Sequence, residues 1–267
     1  MSSKKKNFLI IIPVYNEEES VLQVANKTFS LSQDFSDILF INDGSSDNSS
    51  KILKSIHQQG IFLIDKDKNE GYGASLISGI DFGLKNDYQF LITMDCDEQH
   101  QPEDLKRFRD FDHKIDLVSG SRYAPKSKEL GIKPPKDRVE INRRITGLLN
   151  KKYSLNLTDA FCGFKRYKSN AFKNHGFDNL GYASPMELWS FVHSHGLTVR
   201  EIAVDKIYIT DDRSFGEDLD RKRKRYRYYL ESWNIAHKKY FQENLYFYKG
   251  GKFERKQKEN NISYSLT

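Results

Sequence analysis

Cysteine is scarce in this 267-residue chain, and the two present, Cys96 and Cys162, form neither a C-x-x-C pair nor a disulfide framework. A reducing, cytoplasmic compartment is the expectation. Long apolar runs are missing as well. None approaches the ~20 residues of a membrane span, and the N-terminus MSSKKKNF lacks the roughly 7–15-residue apolar core of a signal peptide. The chain is therefore expected to be soluble, or at most peripheral at the inner face of a membrane. No internal repeat occurs, and neither common phosphate-loop template is met. There is no G-x-x-x-x-G-K-[ST], and after Gly71-Tyr72-Gly73 the position for a dinucleotide fingerprint's third glycine is Leu76. That glycine loop keeps two readings, a tight turn needing positive φ or direct ligand contact.

What is present argues for a folded α/β protein. Hydrophobics at 37% and aromatics at 13% are too rich for disorder, and the length suits one α/β domain with an appendage or two small ones. The net charge of +6 is unevenly spread. Residues 1–120 carry 13 Lys/Arg against 20 Asp/Glu, whereas residues 121–267 carry 30 against 17. An acidic front half suits a cation, and a basic back half suits an anionic partner.

Short apolar runs at 8–14, 37–41, 61–64, 88–94 and 117–120 read as strands, and helices are expected between them from residue 17 to about 31, then over about 47–58, 74–86 and 102–112. Strict strand–loop–helix order implies right-handed crossovers and a mostly parallel sheet covered by helices on both faces. In such sheets ligands bind beyond the carboxyl ends of the strands, and YNEE, NDGSS, NEGYG, DCDEQ and GSRY all fall at that edge. Beyond Arg122 the pattern predicts a loop over 123–139, helices over about 140–152, 185–195 and 219–241, and a strand-like run over 198–209. Residues 1–125 and 126–241 read as two halves of one domain, and 242–267 as a polar, unstructured tail.

The chemistry centres on FLITMDCDE. An extended backbone alternates its side chains, so Asp95 and Asp97 project to one side just past a buried strand. Between Asp95 and Asp104 five acids occur without a Lys or Arg, which favours a Mg²⁺ or Mn²⁺ site over a solvated acidic loop. Asp65 and Asp67 share the spacing, but Lys66 and Lys68 cancel their charge. Asp43 ends the second strand, where it serves either to accept hydrogen bonds from a base or ribose or to cap the next helix.

Together, IIPVYNEEES, FINDGSSDNSS, NEGYGASLISGI, TMDCDEQHQPED and SGSRY resemble, in order and spacing, the family-two glycosyltransferases of the GT-A fold. The branch they are most similar to is the dolichyl-phosphate mannose synthase-like enzymes, in a soluble bacterial subgroup. The match covers residues 8 to about 125 closely and continues more loosely through INRRITGLLN, LTDAFCGF, PMELW and DDRSFG. The resemblance implies a metal-dependent, inverting hexosyl transfer from a nucleoside-diphosphate sugar to a polyprenyl phosphate or other acceptor. Pro13, Tyr15 and Glu17 would line the base and ribose pocket with Asp43 and Gly71. Asp95 and Asp97 would hold the cation, with Gln99 beside it. Arg122 would meet phosphate or sugar, Arg143 and Arg144 the acceptor, and Arg213 the donor phosphates. A hydroxyl acceptor would need a general base, for which Asp159 is the candidate; its other reading is a local cap. Two departures stand out: Asn42 replaces the first acid of D-D-G-S, and Cys162 replaces the serine of S-G-F.

The back half keeps two readings. In the last helix Tyr226, Leu230, Trp233 and His237, with Tyr229, Ala236 and Tyr240, form one stripe edged by Arg and Lys. Either the stripe packs on its own domain, or the basics hold an acceptor phosphate or an anionic bilayer; no nucleic-acid partner is expected. The rival function is a non-catalytic binding module, against which Asp43, Asp95 and Asp97 argue. A sugar-phosphate nucleotidylyltransferase is disfavoured, because PVYNEEES lacks the glycine- and arginine-rich loop it would need.

Overall fold

Alternation along the first strand sets the layering. In β1 (Phe8–Val14), Leu9 and Ile11 enter one apolar cluster while Phe8, Ile10 and Ile12 enter another, so both faces of the sheet are covered. The computed structural model describes residues 6–208, 219–243, 245, 247–249 and 252–254. β1 joins β2 (Ser36–Asn42), β3 (Ile61–Asp65), β4 (Phe90–Thr93), β5 (Leu117–Ser121), β7 (Lys165–Lys168) and β8 (Val199–Ala203) in one sheet of order β3-β2-β1-β4-β7-β5-β8. A second, two-stranded sheet pairs β6 (Glu129–Gly131) with β9 (Lys206–Tyr208). Helices α1 (Val21–Ser32), α2 (Ser49–Lys54) and α4 (Leu105–Asp110) pack on one face through Val21, Val24, Leu53, Leu105 and Phe108. The other face carries α3 (Tyr72–Lys85), α5 (Lys136–Tyr153), α6 (Ser184–Ser194) and α7 (Lys222–Phe241), through Ile80, Ile145, Trp189 and Trp233 among others.

The mostly parallel, doubly covered sheet expected from the sequence is present. Its exception is β7, which runs antiparallel to both β4 and β5. KRYK carries no apolar run, so nothing in its composition marks it as a central strand. It is tolerated there because Arg166, fully buried, donates to the carbonyls of Phe108, Phe111, Asp112 and Ile115 at 2.8–3.3 Å.

Several boundaries shift for local reasons. α1 starts at Val21 rather than 17, because Glu17 and Glu18 are engaged with the next loop: the Glu17 N–H donates to Ser49 Oγ and Glu18 Oε2 accepts from Asn48. The 198–209 run divides at Val204 and Asp205 into strands of different sheets, and β6 arises inside the stretch read as loop. The α7 stripe packs inward. Trp233 Nε1 donates to Tyr153 Oη at 2.9 Å, and that oxygen lies 2.9 Å from both Ser190 Oγ and His237 Nδ1. Past α7, within the stretch read as a tail, Leu245 is buried with its N–H on Asn234, and β10 (Phe247–Lys249) pairs with β11 (Lys252–Glu254). No described helix is long and apolar enough to cross a membrane.

Candidate active site

Each of the five loops at the carboxyl edge contributes side chains to a single cleft of about 920 Å³, within the size range of small-ligand sites. Pro13 lies near the carboxyl end of β1, Tyr15 and Glu17 follow that strand, Asp43 follows β2, Gly71 and Tyr72 open α3, Asp95, Asp97 and Gln99 follow β4, and Arg122 and Tyr123 follow β5. The wall opposite comes from the back half through Arg138, Asn142, Tyr182, Tyr208 and Arg225 among others. Tyr72 and Tyr182 stack with their ring centroids 6.1 Å apart.

The two carboxylates are held differently. Tyr72 Oη donates to Asp95 Oδ1 at 2.7 Å, while Asp97 Oδ1 accepts the Gln99 N–H at 3.1 Å. Burial, then the Asp95 charge, raises the Tyr72 pKa well above its usual value, so the phenol remains a donor at any working pH. His100 is buried; its Nδ1 accepts the Asp95 N–H at 2.9 Å, and its Nε2 lies 3.9 Å from Cys162 Sγ. Cys162 is thus a core contact rather than part of the acceptor side. At Gly163 beside it a Cβ would lie 2.7 Å from both Asp95 Oδ2 and the Tyr72 hydroxyl, so any side chain there would displace one or both of them. Among the described residues no group of three or more His, Cys, Asp or Glu is placed to hold a metal ion. Two carboxylates and an amide fit a hard cation whose remaining positions go to water and substrate phosphate.

Asp43 does not cap the helix after it. Its carboxylate, 4% exposed, accepts from Lys66 Nζ at 2.9 Å and from the Gly71 and Glu70 N–H groups at 2.8 and 3.3 Å, tying the glycine loop to β2. Gly71 itself, at φ 108°, lies so close to Leu180 that a Cβ would be 2.3 Å from its carbonyl oxygen. Asn42 faces away from the cleft and donates to Asp65 Oδ1 at 2.6 Å. An acid at 42 would set two carboxylates against each other there. Asp65 also accepts from Ser50 and pairs with Lys54, so the rival D-x-D is spent on structure.

On the basic side, Arg122 and Asp159 form a two-point pair, Nε to Oδ2 at 2.7 Å and Nη2 to Oδ1 at 3.0 Å. Asp159 is fully buried and also accepts from Asn142 Nδ2 and the Phe161 N–H, with Glu201 accepting from its own N–H. Burial raises its pKa, but Arg122 and these donors outweigh it and hold the carboxyl well below the ordinary range. That geometry speaks against a general base, since every approach to the carboxylate is already taken. Arg143 and Arg144 do not reach the cleft: both are exposed, and Arg144 pairs with Glu140 at 2.7 Å. About one and a half helical turns earlier, on a different face of α5, Arg138 lines the cleft, with Arg225 from α7. The helical period offered that choice of face, and only packing made it. Arg213 lies outside the described residues. Glu187 is buried on α6 and accepts from the Asp178 and Asn179 N–H groups and from Lys239 Nζ.

A nucleotide-sized cleft at the carboxyl edge of such a sheet, with paired carboxylates facing arginines, defines the nucleotide-sugar transferase class. The family model described as glycosyl transferase family 2 matches residues 9–176, and the chain belongs to that family. It is 26% identical to polyprenol monophosphomannose synthase of Mycolicibacterium smegmatis over 203 residues, covering 73% of this chain and 76% of that protein. It is 27% identical to undecaprenyl-phosphate mannosyltransferase of Micrococcus luteus over 214 residues, covering 78% and 85%. A crystal structure of glucosyl-3-phosphoglycerate synthase from Mycobacterium tuberculosis with Mn²⁺, UDP and glucosyl-3-phosphoglycerate shares the fold, with TM-score 0.64 at 13% identity over 86% of this chain and 80% of that one. The protein is a glycosyltransferase of the GT-A fold.

Proposed function

We propose that the enzyme transfers a hexosyl unit, with inversion, from a nucleoside-diphosphate sugar to a polyprenyl phosphate. The observation that carries this is one cleft lined at once by Asp95, Asp97 and Gln99 and by Arg122, Arg138 and Arg225, which suits a cation-bound diphosphate on one side and an anionic acceptor on the other. Two relatives named for polyprenyl-phosphate mannosyl transfer support the acceptor class, and the fold neighbour crystallised with Mn²⁺ and UDP supports a divalent cation.

In this reading an acceptor phosphate oxygen attacks the anomeric carbon while the bond to the diphosphate breaks, its electron pair leaving on the diphosphate oxygen. The attacking oxygen is already anionic, so no proton has to be removed and no general base is required. A divalent cation held by Asp97 and Asp95, with Gln99 beside it, would supply charge for the leaving diphosphate. Arg122, fixed by Asp159, is a preorganised cation in the same cleft and needs no reorientation as charge develops. Pro13, Tyr15, Glu17 and Asp43 serve the base and ribose, with Gly71 holding the turn. Arg138 and Arg225 serve the acceptor phosphate.

The test is a thermal-shift screen of GDP, UDP and their sugars with and without Mn²⁺, followed by transfer assays on a short-chain polyprenyl phosphate. Asp97→Ala should abolish product and the metal-dependent shift while leaving the fold intact. Near-normal turnover of that variant in chelator would overturn the metal role. Donor hydrolysis without lipid product would overturn the acceptor.

A further inference from the structure

Of the large apolar side chains exposed among the described residues, Tyr15 and Tyr182 line the cleft, Leu180 adjoins them, and Leu22, Phe62 and Ile235 sit singly on α1, β3 and α7. Leu130 and Ile132 are the exception. They stand 38% and 41% exposed, two residues apart, in a stretch from Lys128 to Lys133 that is exposed throughout. The exposure is not that of a loose loop. The Lys206 N–H donates to the Lys128 carbonyl at 2.8 Å and the Ile132 N–H to the Tyr208 carbonyl at 2.9 Å. Between them Gly131, at φ 79°, presses so close to Tyr208 that a Cβ would be 2.1 Å from its carbonyl oxygen. Backbone geometry therefore presents two apolar side chains to solvent from a fixed strand.

The charge around them is predominantly basic. Lys126, Lys128, Lys133 and Lys136 are all exposed, and none forms an ion pair with a described residue. The only acid in that stretch, Glu129, is taken by Lys206. Aliphatic side chains standing out of a cationic field match the two layers of an anionic bilayer surface, apolar chains beneath phosphates. The neighbouring cleft, read above as taking a lipid-linked phosphate, favours a bilayer over an acidic protein as the occupant. Location adds to this. β6 pairs with β9, whose Tyr208 lines the cleft, and α5 begins directly after the stretch with Arg138 in the cleft wall.

We propose that residues 126–136 are the element that seats this enzyme on an anionic membrane, with Leu130 and Ile132 entering the interface and the lysines meeting lipid phosphates. The proposal rests on the polyprenyl-phosphate reading for its purpose but not for its test, because the vesicles used contain no acceptor. Full-length protein is sedimented with neutral phosphatidylcholine vesicles and with vesicles containing phosphatidylglycerol, at low and high salt. Binding is expected only to the anionic ones, and weaker at high salt. Each lysine at such a surface is worth about fivefold in partitioning, so Lys128→Gln with Lys133→Gln should weaken binding by more than an order of magnitude. Leu130→Glu with Ile132→Glu should abolish it, while melting temperature and the thermal shift with nucleoside diphosphate stay unchanged. Ile132→Trp should show blue-shifted emission on vesicle addition if the side chain inserts. Undiminished binding of the double-glutamate variant, or loss only on neutralising Arg223 and Lys224 of α7, would overturn the proposal. Vesicle binding without transfer to polyprenyl phosphate would instead leave the docking surface standing and remove the acceptor assignment.

Discussion

The hydroxyl of Tyr72 donates to Asp95 Oδ1 across 2.7 Å, so the second residue of the glycine loop fixes the rotamer of the first carboxylate of D-x-D. Asp97 Oδ1 accepts the Gln99 N–H. The Tyr72 hydroxyl is a partner of Asp95 that can be removed cleanly. A hydrogen bond to a charged group contributes roughly 1.5–3 kcal/mol, or about ten- to a hundredfold. Tyr72→Phe should lower kcat/KM by that order and change the Mn²⁺ dependence of nucleotide binding, with melting temperature little affected. Unaltered kinetics and metal titration would make the hydroxyl idle.

Asp43 should matter twice. It is buried opposite Lys66 and holds the Gly71 N–H, so Asp43→Asn removes a charge from a buried pair as well as from the cleft. The expected result is a stability loss of about 1–3 kcal/mol together with a roughly tenfold weaker nucleotide affinity. Denaturant unfolding and calorimetry measure the two separately. Lost stability with full affinity would reduce Asp43 to a strut for the loop.

The Arg122–Asp159 pair predicts a pH signature. Its folded pKa is depressed below the ordinary 3.8, so the stability it contributes is complete above that value and is lost as pH falls below it. The stability gap between wild type and Asp159→Asn should be constant from pH 7 to 5 and shrink below about 4. No limb of the activity profile near neutrality should belong to Asp159. If Asp159→Asn erased such a limb, the base role would return.

Arg143 and Arg144 serve as controls for the acceptor side. On a short-chain, water-soluble acceptor, replacing both by Gln should leave acceptor KM within about twofold, as for ordinary surface substitutions. Arg138→Gln should raise it about tenfold, the scale of one charge-assisted contact. Equal effects from both variants would mean that acceptor binding responds to overall charge rather than to the cleft.

Local pattern carried most of this protein. The two-residue period of the buried strands and the order of strand, loop and helix were enough for a parallel, doubly covered sheet, and topology alone then required the loops bearing Tyr15, Asp43, Gly71, Asp95 and Arg122 to meet at one edge. Asn42 could be seen to depart from the D-D-G-S pattern, but not that Asp65 was its partner, because that contact joins neighbouring strands 23 residues apart. β7 was hidden since its buried arginine gains its satisfaction from four carbonyls of a distant segment rather than from its own neighbours. Arg138, Arg143 and Arg144 look alike on paper. A helix repeats its faces every 3.6 residues, and which face meets the cleft is decided by how α5 packs against α6 and α7, a choice made only when the chain is folded.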